Sequence, residues 1–394
     1  MAVTFLSRVA PTLAPTMALH LHWTVAEIGY LSSLMALGSA IFSFAGLPLV
    51  LRAGPIRSLQ VGLVVGAVGA LLYVLPLSWC AVIGSLMIGL AAGPQAAAGS
   101  DVLRRHAPAG SQNLIFSIKQ SGVPLAGVLA GLLLPTMALV AGLTLTFVLC
   151  ATLTLAALWA MQPIERRLDA DRDRKQPIHP AAILSLSNLR RPVRALARDP
   201  DLRRIAVVGG LFALGQGAWF TFLISYLVLY LNMSLAIAGV MFALMQAVSA
   251  LSRPAAGWLA DRLSALTILK AMCITSTLTT VLLATLTPAW PQWALVSLVV
   301  VAGATVASWN GVQIAQVAHL ARPGTLGESL NGATLLVLLA SGAGPALFGL
   351  TVALGGNFRI AFGLAALCTL AAWIPLSQLR NGDPTHAVPA GPGP

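Results

Sequence analysis

Charge is what this sequence has least of. Only 9% of its 394 residues are Asp, Glu, Lys or Arg, while 58% are hydrophobic; a soluble domain carries about 25% charged residues. Such a chain cannot clothe a water-facing surface. The four cysteines, Cys80, Cys150, Cys273 and Cys368, are scattered and mostly inside apolar runs, with neither metal-ligand spacing nor a disulfide framework. Acids number eleven, and each falls in a loop or at the end of an apolar run. No carboxylate sits at mid-membrane depth to titrate as a proton carrier. The glycine-rich "GLAAGPQAAAGSD" lacks the Lys-Ser/Thr ending of a phosphate loop. No catalytic carboxylate pair or nucleophile elbow stands out either, so we expect no enzyme, cofactor or metal. A basic region and a small-residue cleavage site are missing from the first apolar stretch, so we expect no cleavable secretory signal.

What is there instead is a succession of apolar runs, each near the roughly 20 residues that cross a bilayer. They lie at about 1–19, 27–50, 58–78, 81–103, 113–137, 139–161, 205–231, 236–258, 266–287, 293–318, 327–353 and 358–379. The expected fold is an all-α integral membrane protein of about twelve transmembrane helices in two six-helix bundles. One bundle covers 1–162 and the other 205–380, with a polar central loop at 163–204 and a disordered, Pro/Gly-rich tail at 381–394. The first run starts at Met1 with no polar lead and is short for a helix carrying a midplane Arg. We therefore expect a natural start upstream, or a first helix thinned at its cytoplasmic end.

The net charge of +12 could suggest nucleic acid, but the basic residues sit in short loops between apolar spans. With both termini cytoplasmic, 20 of the 23 Lys and Arg fall on the inner side, the asymmetry that orients multi-pass proteins. Trp23, Trp79, Trp290 and Trp293 cluster at the opposite interface. The expected setting is a bacterial-type inner membrane, with membrane lipid as the surroundings, no nucleic-acid partner and a monomeric state.

The halves echo each other: "SGVPLAGVLAG" (121–131) is answered by "SGAGPALFG" (341–349), and "GLPLVLRAGPIR" (46–57) stands where the second half has "GWLADR" (257–262). With "SRPAAGWLADRL" (252–263), the whole chain resembles the major facilitator superfamily. The resemblance implies secondary transport by two bundles rocking about a midplane site. It implies a cytoplasmic gating latch, with Arg253, Asp261 and Arg262 in the second-half motif and Asp101, Arg104 and Arg105 as the charged partner set. In the first-half copy Leu51 stands at the family's Asp position, although Arg52, Gly54 and Arg57 remain. The fourth span also lacks the embedded Arg of the superfamily's proton-coupled drug exporters.

Candidate substrate-binding residues follow from depth and type. Arg8 lies near the midplane of the first span and Lys119 about seven residues into the fifth. An ionisable group there costs roughly 2.5–3.5 kcal/mol unless it faces a cavity or a partner. Arg8 is the stronger candidate, because Lys119 can reach the interface by snorkelling. The resemblance places the cavity among the first, fourth, seventh and tenth spans. Gln95, Gln216, Trp219, Tyr226, Trp309, Asn310 and Gln313 are therefore candidates, with Gln246 and Asn331 behind them. Interhelical packing and hydrogen bonding are the competing roles for each. Two embedded cations and no embedded carboxylate point to a small organic anion as substrate. The alternatives are an exporter of apolar or cationic compounds, suggested by the mid-span aromatics, and a membrane-embedded lipid-modifying enzyme.

Overall fold

The computed structural model describes residues 1–95, 98–99, 102, 112–169, 172, 176, 187–322, 325–355 and 357–379, and every regular element among them is a helix. Eight helices are long and apolar enough to cross a membrane. One of these lies within Gln112–Leu168, which turns at Gly142, where φ is 76°. Only glycine adopts that conformation cheaply, so the helix forms two rods, the fifth and sixth spans. The shorter apolar helices Ser78–Ala92 and Gln292–Ala304 belong to the fourth and tenth spans. With the first span, the described chain has twelve. The fifth-to-sixth turn thus lies a few residues beyond the boundary expected at 137–139. Part of the expected central loop is helical too, as Ser187–Arg198, and the seventh span starts at Pro200.

Local signals set the starts of the spans. Thr24 and Glu27 form a capping box at the second span, Val25–Ala45. Asp199 accepts from the amides of Asp201 and Leu202 and caps the seventh, Pro200–Leu229, while Pro200 pre-sets its first turn. Ser234 and Ser264 cap the eighth span, Leu235–Leu263, and the ninth, Ala265–Thr285. The third span, Pro55–Leu72, starts differently. Asp169, from the end of the sixth helix, accepts from the amides of Ile56 and Arg57 at 2.8 and 2.9 Å. It is 4% exposed. Gly54, with φ 96°, leaves the carboxylate room, since a methyl group there would lie 2.7 Å from its Oδ2. A distant acid thus serves the loop whose own acid is replaced by Leu51.

The two halves meet chiefly through the second span against the eleventh, Leu326–Gly355, and the fifth against the eighth. Glycines allow the close approach. A methyl at Gly131 of the fifth span would lie 2.6 Å from the Gly239 carbonyl of the eighth. One at Gly29 of the second would lie 2.9 Å from the Pro345 carbonyl of the eleventh. Toward the tryptophan-bearing side the buried residues form one core drawn from both halves, including Leu13, Met17, Phe147, Phe222, Tyr226, Phe242 and Phe348. Toward the basic side they separate. Leu202, Ile205, Leu269 and Leu376 belong to a core of the second half, and Val3, Leu63 and Ala91 to one of the first.

Candidate functional site

Two spans, one from each half, are interrupted part-way along their length. The first span consists of Ala2–Ser7, Val9–Thr12 and Ala14–Leu21. Pro11 and Pro15 have no amide to offer the carbonyls four residues earlier, so the helix breaks upstream of each. Arg8 is the residue at the first break, with φ −90° and ψ −10°. The tenth span consists of Gln292–Ala304 and Asn310–Leu320, with turns at 305–309 between them. Three side chains bind the freed carbonyls of that break. Gln216 donates to Val306 O at 2.9 Å, and Ser249 and Arg253 donate to Ala307 O at 2.9 and 3.1 Å.

Arg8 is half-buried. Its guanidinium carbon stands 4.5 Å from the centre of the Phe220 ring on the seventh span, so the side chain crosses from one half to the other. A cation over an aromatic face at such a distance is attracted by the ring quadrupole. The Nε of Arg8 is buried and has no hydrogen-bond partner. Nearby, Thr4 donates to Gln95 Oε1 at 3.3 Å and ties the first span to the fourth.

The other expected residues fall into three groups. Gln216, half-buried, braces the broken tenth span, and Asn310 opens that span's second segment, also half-buried. Lys119 is half-buried, with its Nζ 3.1 Å from where a methyl would stand on Gly99 of the neighbouring helix. Trp219, Tyr226 and Trp309 belong to a different environment from the one expected. Each is 0% exposed, and a side chain with no accessible surface touches no ligand in this conformation. Trp219 donates to Thr280 Oγ1 at 2.9 Å and Tyr226 to Leu283 O at 2.9 Å, both on the ninth span. Trp309 stacks on Phe212 at 5.4 Å. These are packing and hydrogen-bonding roles inside the second half. Gln313, 2% exposed, donates to Ile205 O at 3.4 Å in the same core. Gln246 is 1% exposed and packs against Gly127, and Asn331 is exposed.

Of the residues expected to form a latch, Asp101, Arg104 and Arg105 lie outside the described residues. Asp261 is exposed, and Arg262 lies over the Trp258 ring at 4.0 Å. Arg253 is not at the end of its helix with them. It is ten residues short of Leu263 and bonds into the broken tenth span. Sequence reasoning missed that placement because the motif resemblance absorbed the residue. Its signal was an arginine placed inside an apolar run, five residues before the end expected at 258.

The family model described as Major Facilitator Superfamily matches residues 1–337. An uncharacterized MFS-type transporter of Mycobacterium tuberculosis is 27% identical over 362 residues, covering 90% of this chain and 77% of that one. Among solved structures, the nucleoside transporter NupG superposes with a TM-score of 0.75 at 14% identity, over 96% of this chain and 99% of that one. A peptide transporter, POT, solved in complex with sulfate superposes with a TM-score of 0.71 at 16% identity, over 96% and 92%.

Proposed function

The chain belongs to the major facilitator superfamily, and we propose that this secondary transporter moves a small organic anion across a bacterial-type inner membrane by alternating access. Arg8 carries the reading. It stands at a helix break between the halves, held by an aromatic face and not by a counter-charge, with its Nε buried and unbonded. Among the described residues no carboxylate pairs with it; the described ion pairs are Arg204 with Asp201 and Arg322 with Asp199. An embedded cation without an acid is costly. A substrate carboxylate, bound bidentately by the planar guanidinium, removes much of that cost when it enters. The loaded carrier then crosses more easily than the empty one, which favours exchange over leak.

The basic ends are assigned to the cytoplasm by the positive-inside rule. Among the described residues the buried core is split between the halves on that side and shared on the other, which supports an inward-facing conformation. An exposed Asp261 and an Arg262 that rests on Trp258 are in keeping with it.

The test is a thermal-shift and uptake screen of small carboxylates on the purified protein. Arg8→Gln is expected to abolish anion binding while the variant stays folded. Arg8→Lys should keep the charge and lose the paired geometry, binding more weakly than the parent. If Arg8→Gln binds and moves the substrate as well as the parent does, or if the substrate is a cation, the anion reading is wrong. The drug-exporter alternative then takes its place.

A further inference from the structure

Arg253 has a structural duty, but that duty leaves much of the side chain unexplained. Among the described residues it bonds to Ala307 O through Nη2, and a guanidinium carries five N–H donors. Its Nε is buried without a partner, as that of Arg8 is. The carbonyl it serves is already served by the Ser249 hydroxyl. A neutral donor would brace that carbonyl as well, so bracing alone gives no reason for a full charge ten residues, about 15 Å, inside the helix. None of the described carboxylates pairs with it.

Arg253 also lies near Arg8. It bonds to Ala307 O, whose neighbour Val306 is held by Gln216, and Gln216 is one helical turn from Phe220, the ring on which Arg8 rests. Each stands at an interrupted helix, Arg8 within the first span and Arg253 against the tenth. Discontinuous helices at mid-membrane depth are where transporter folds build substrate sites, because freed backbone groups are tolerated only beside a polar cavity. A second charged donor at such a break, in the other half, is the arrangement a two-ended anion requires.

We infer that Arg253 is a second anion-coordinating residue and that the substrate is a dianion of the dicarboxylate class, with one carboxylate held by Arg8 of the first half and the other by Arg253 of the second. The inference rests on the Arg8 reading above. It adds that the ligand bridges the halves: repulsion between the arginines opposes their approach in the empty protein, and the dianion replaces that repulsion with two attractions.

The experiment uses the full-length purified protein with succinate and glutarate against butyrate and valerate, read by thermal shift. The parent is expected to respond to the dicarboxylates at concentrations about tenfold or more below those for the monocarboxylates, the worth of one additional charge-assisted pair. Arg253→Gln should close that gap, while a response to butyrate, through Arg8, remains measurable. Arg8→Gln should lose the response to both classes. A gap preserved in Arg253→Gln, or a parent that does not favour dicarboxylates, overturns the inference while leaving the Arg8 reading standing. A parent that responds to neither class overturns both. If Arg253→Gln does not fold, Arg253→Lys, which can still bond to Ala307, is read in its place. A gap as wide as the parent's then counts against the proposal.

Discussion

At the scale of single residues, rarity was the most legible signal. Arg8 stood out because a charge inside an apolar run has few innocent explanations, and the structure sets it at the meeting of the halves. Trp219, Tyr226 and Trp309 are each fully buried in this conformation, which nothing along the chain foretells. A mid-span polar aromatic needs a partner for its N–H or O–H. Nothing in the sequence shows that the partner of Trp219 is Thr280, 61 residues away on another helix. Phe220, the ring on which Arg8 rests, gave no signal, since phenylalanine inside an apolar span is unremarked. It leads to a prediction. Removing the ring with Phe220→Leu keeps the bulk and deletes the quadrupole under Arg8. A cation–π contact contributes about 0.5–2 kcal/mol, so anion affinity should change by roughly 2- to 30-fold. If Phe220 holds Arg8 ready for the ligand, affinity falls; titration of the purified variant by thermal shift decides it, and an unchanged affinity would show that Arg8 needs no such support. Lys119→Gln should have a smaller effect than Arg8→Gln, because its ammonium lies beside Gly99 on a neighbouring helix of the same half.

At the scale of elements, periodic apolar length gave the number of spans, and their interruptions were only partly legible. Pro11 and Pro15 announce the broken first span. The turns at 305–309 contain no proline, and what favours them is tertiary: donors on the seventh and eighth spans that bind the freed Val306 and Ala307 carbonyls. The start of the third span is tertiary as well, because its cap, Asp169, comes from beyond the sixth span. Asp169→Ala leaves two helix-start amides, that of Ile56 buried, without acceptors. It should destabilise the protein by about 1–3 kcal/mol, read as a lowered melting temperature with anion affinity preserved. Glycine contacts between the halves predict a different outcome. In Gly131→Ala the added methyl would press on the Gly239 carbonyl and the Ala243 amide, at 2.6 and 2.9 Å, where the fifth and eighth spans join the halves. Overpacking costs about 1–3 kcal/mol. It is paid only in the conformation described here, so the variant should favour the opposite one by roughly 5- to 150-fold. Accelerated thiol labelling from the tryptophan-bearing side, with the variant still folded, is the expected readout. Unchanged labelling would show that this contact stays closed throughout the cycle.

At the scale of the whole molecule, two independent asymmetries point the same way. The basic residues gather at one end of the helices and Trp79, Trp290 and Trp293 are exposed at the other. The buried core is shared by both halves at the tryptophan end and split at the basic end. The first asymmetry concerns insertion and was legible in the sequence. The second concerns which conformation is favoured, and no pattern along the chain encodes it, because it depends on which faces of the second, fifth, eighth and eleventh spans touch. Together they predict sidedness. Reporter fusions at Gly355 should read as external and fusions at Asp171 as internal. In a background with the four native cysteines replaced, Thr4→Cys lies by Gln95 on the split side, and Met17→Cys lies in the shared core at 1% exposure. An impermeant thiol reagent should label the first in inverted vesicles and leave the second unlabelled in right-side-out vesicles. Adding a transported anion should speed labelling at Met17→Cys, since the loaded carrier visits the outward-open state more often. Met17→Cys labelled quickly from outside without substrate would mean that the tryptophan end is open at rest. Reversed reporters would mean that the charge asymmetry had been assigned to the wrong face.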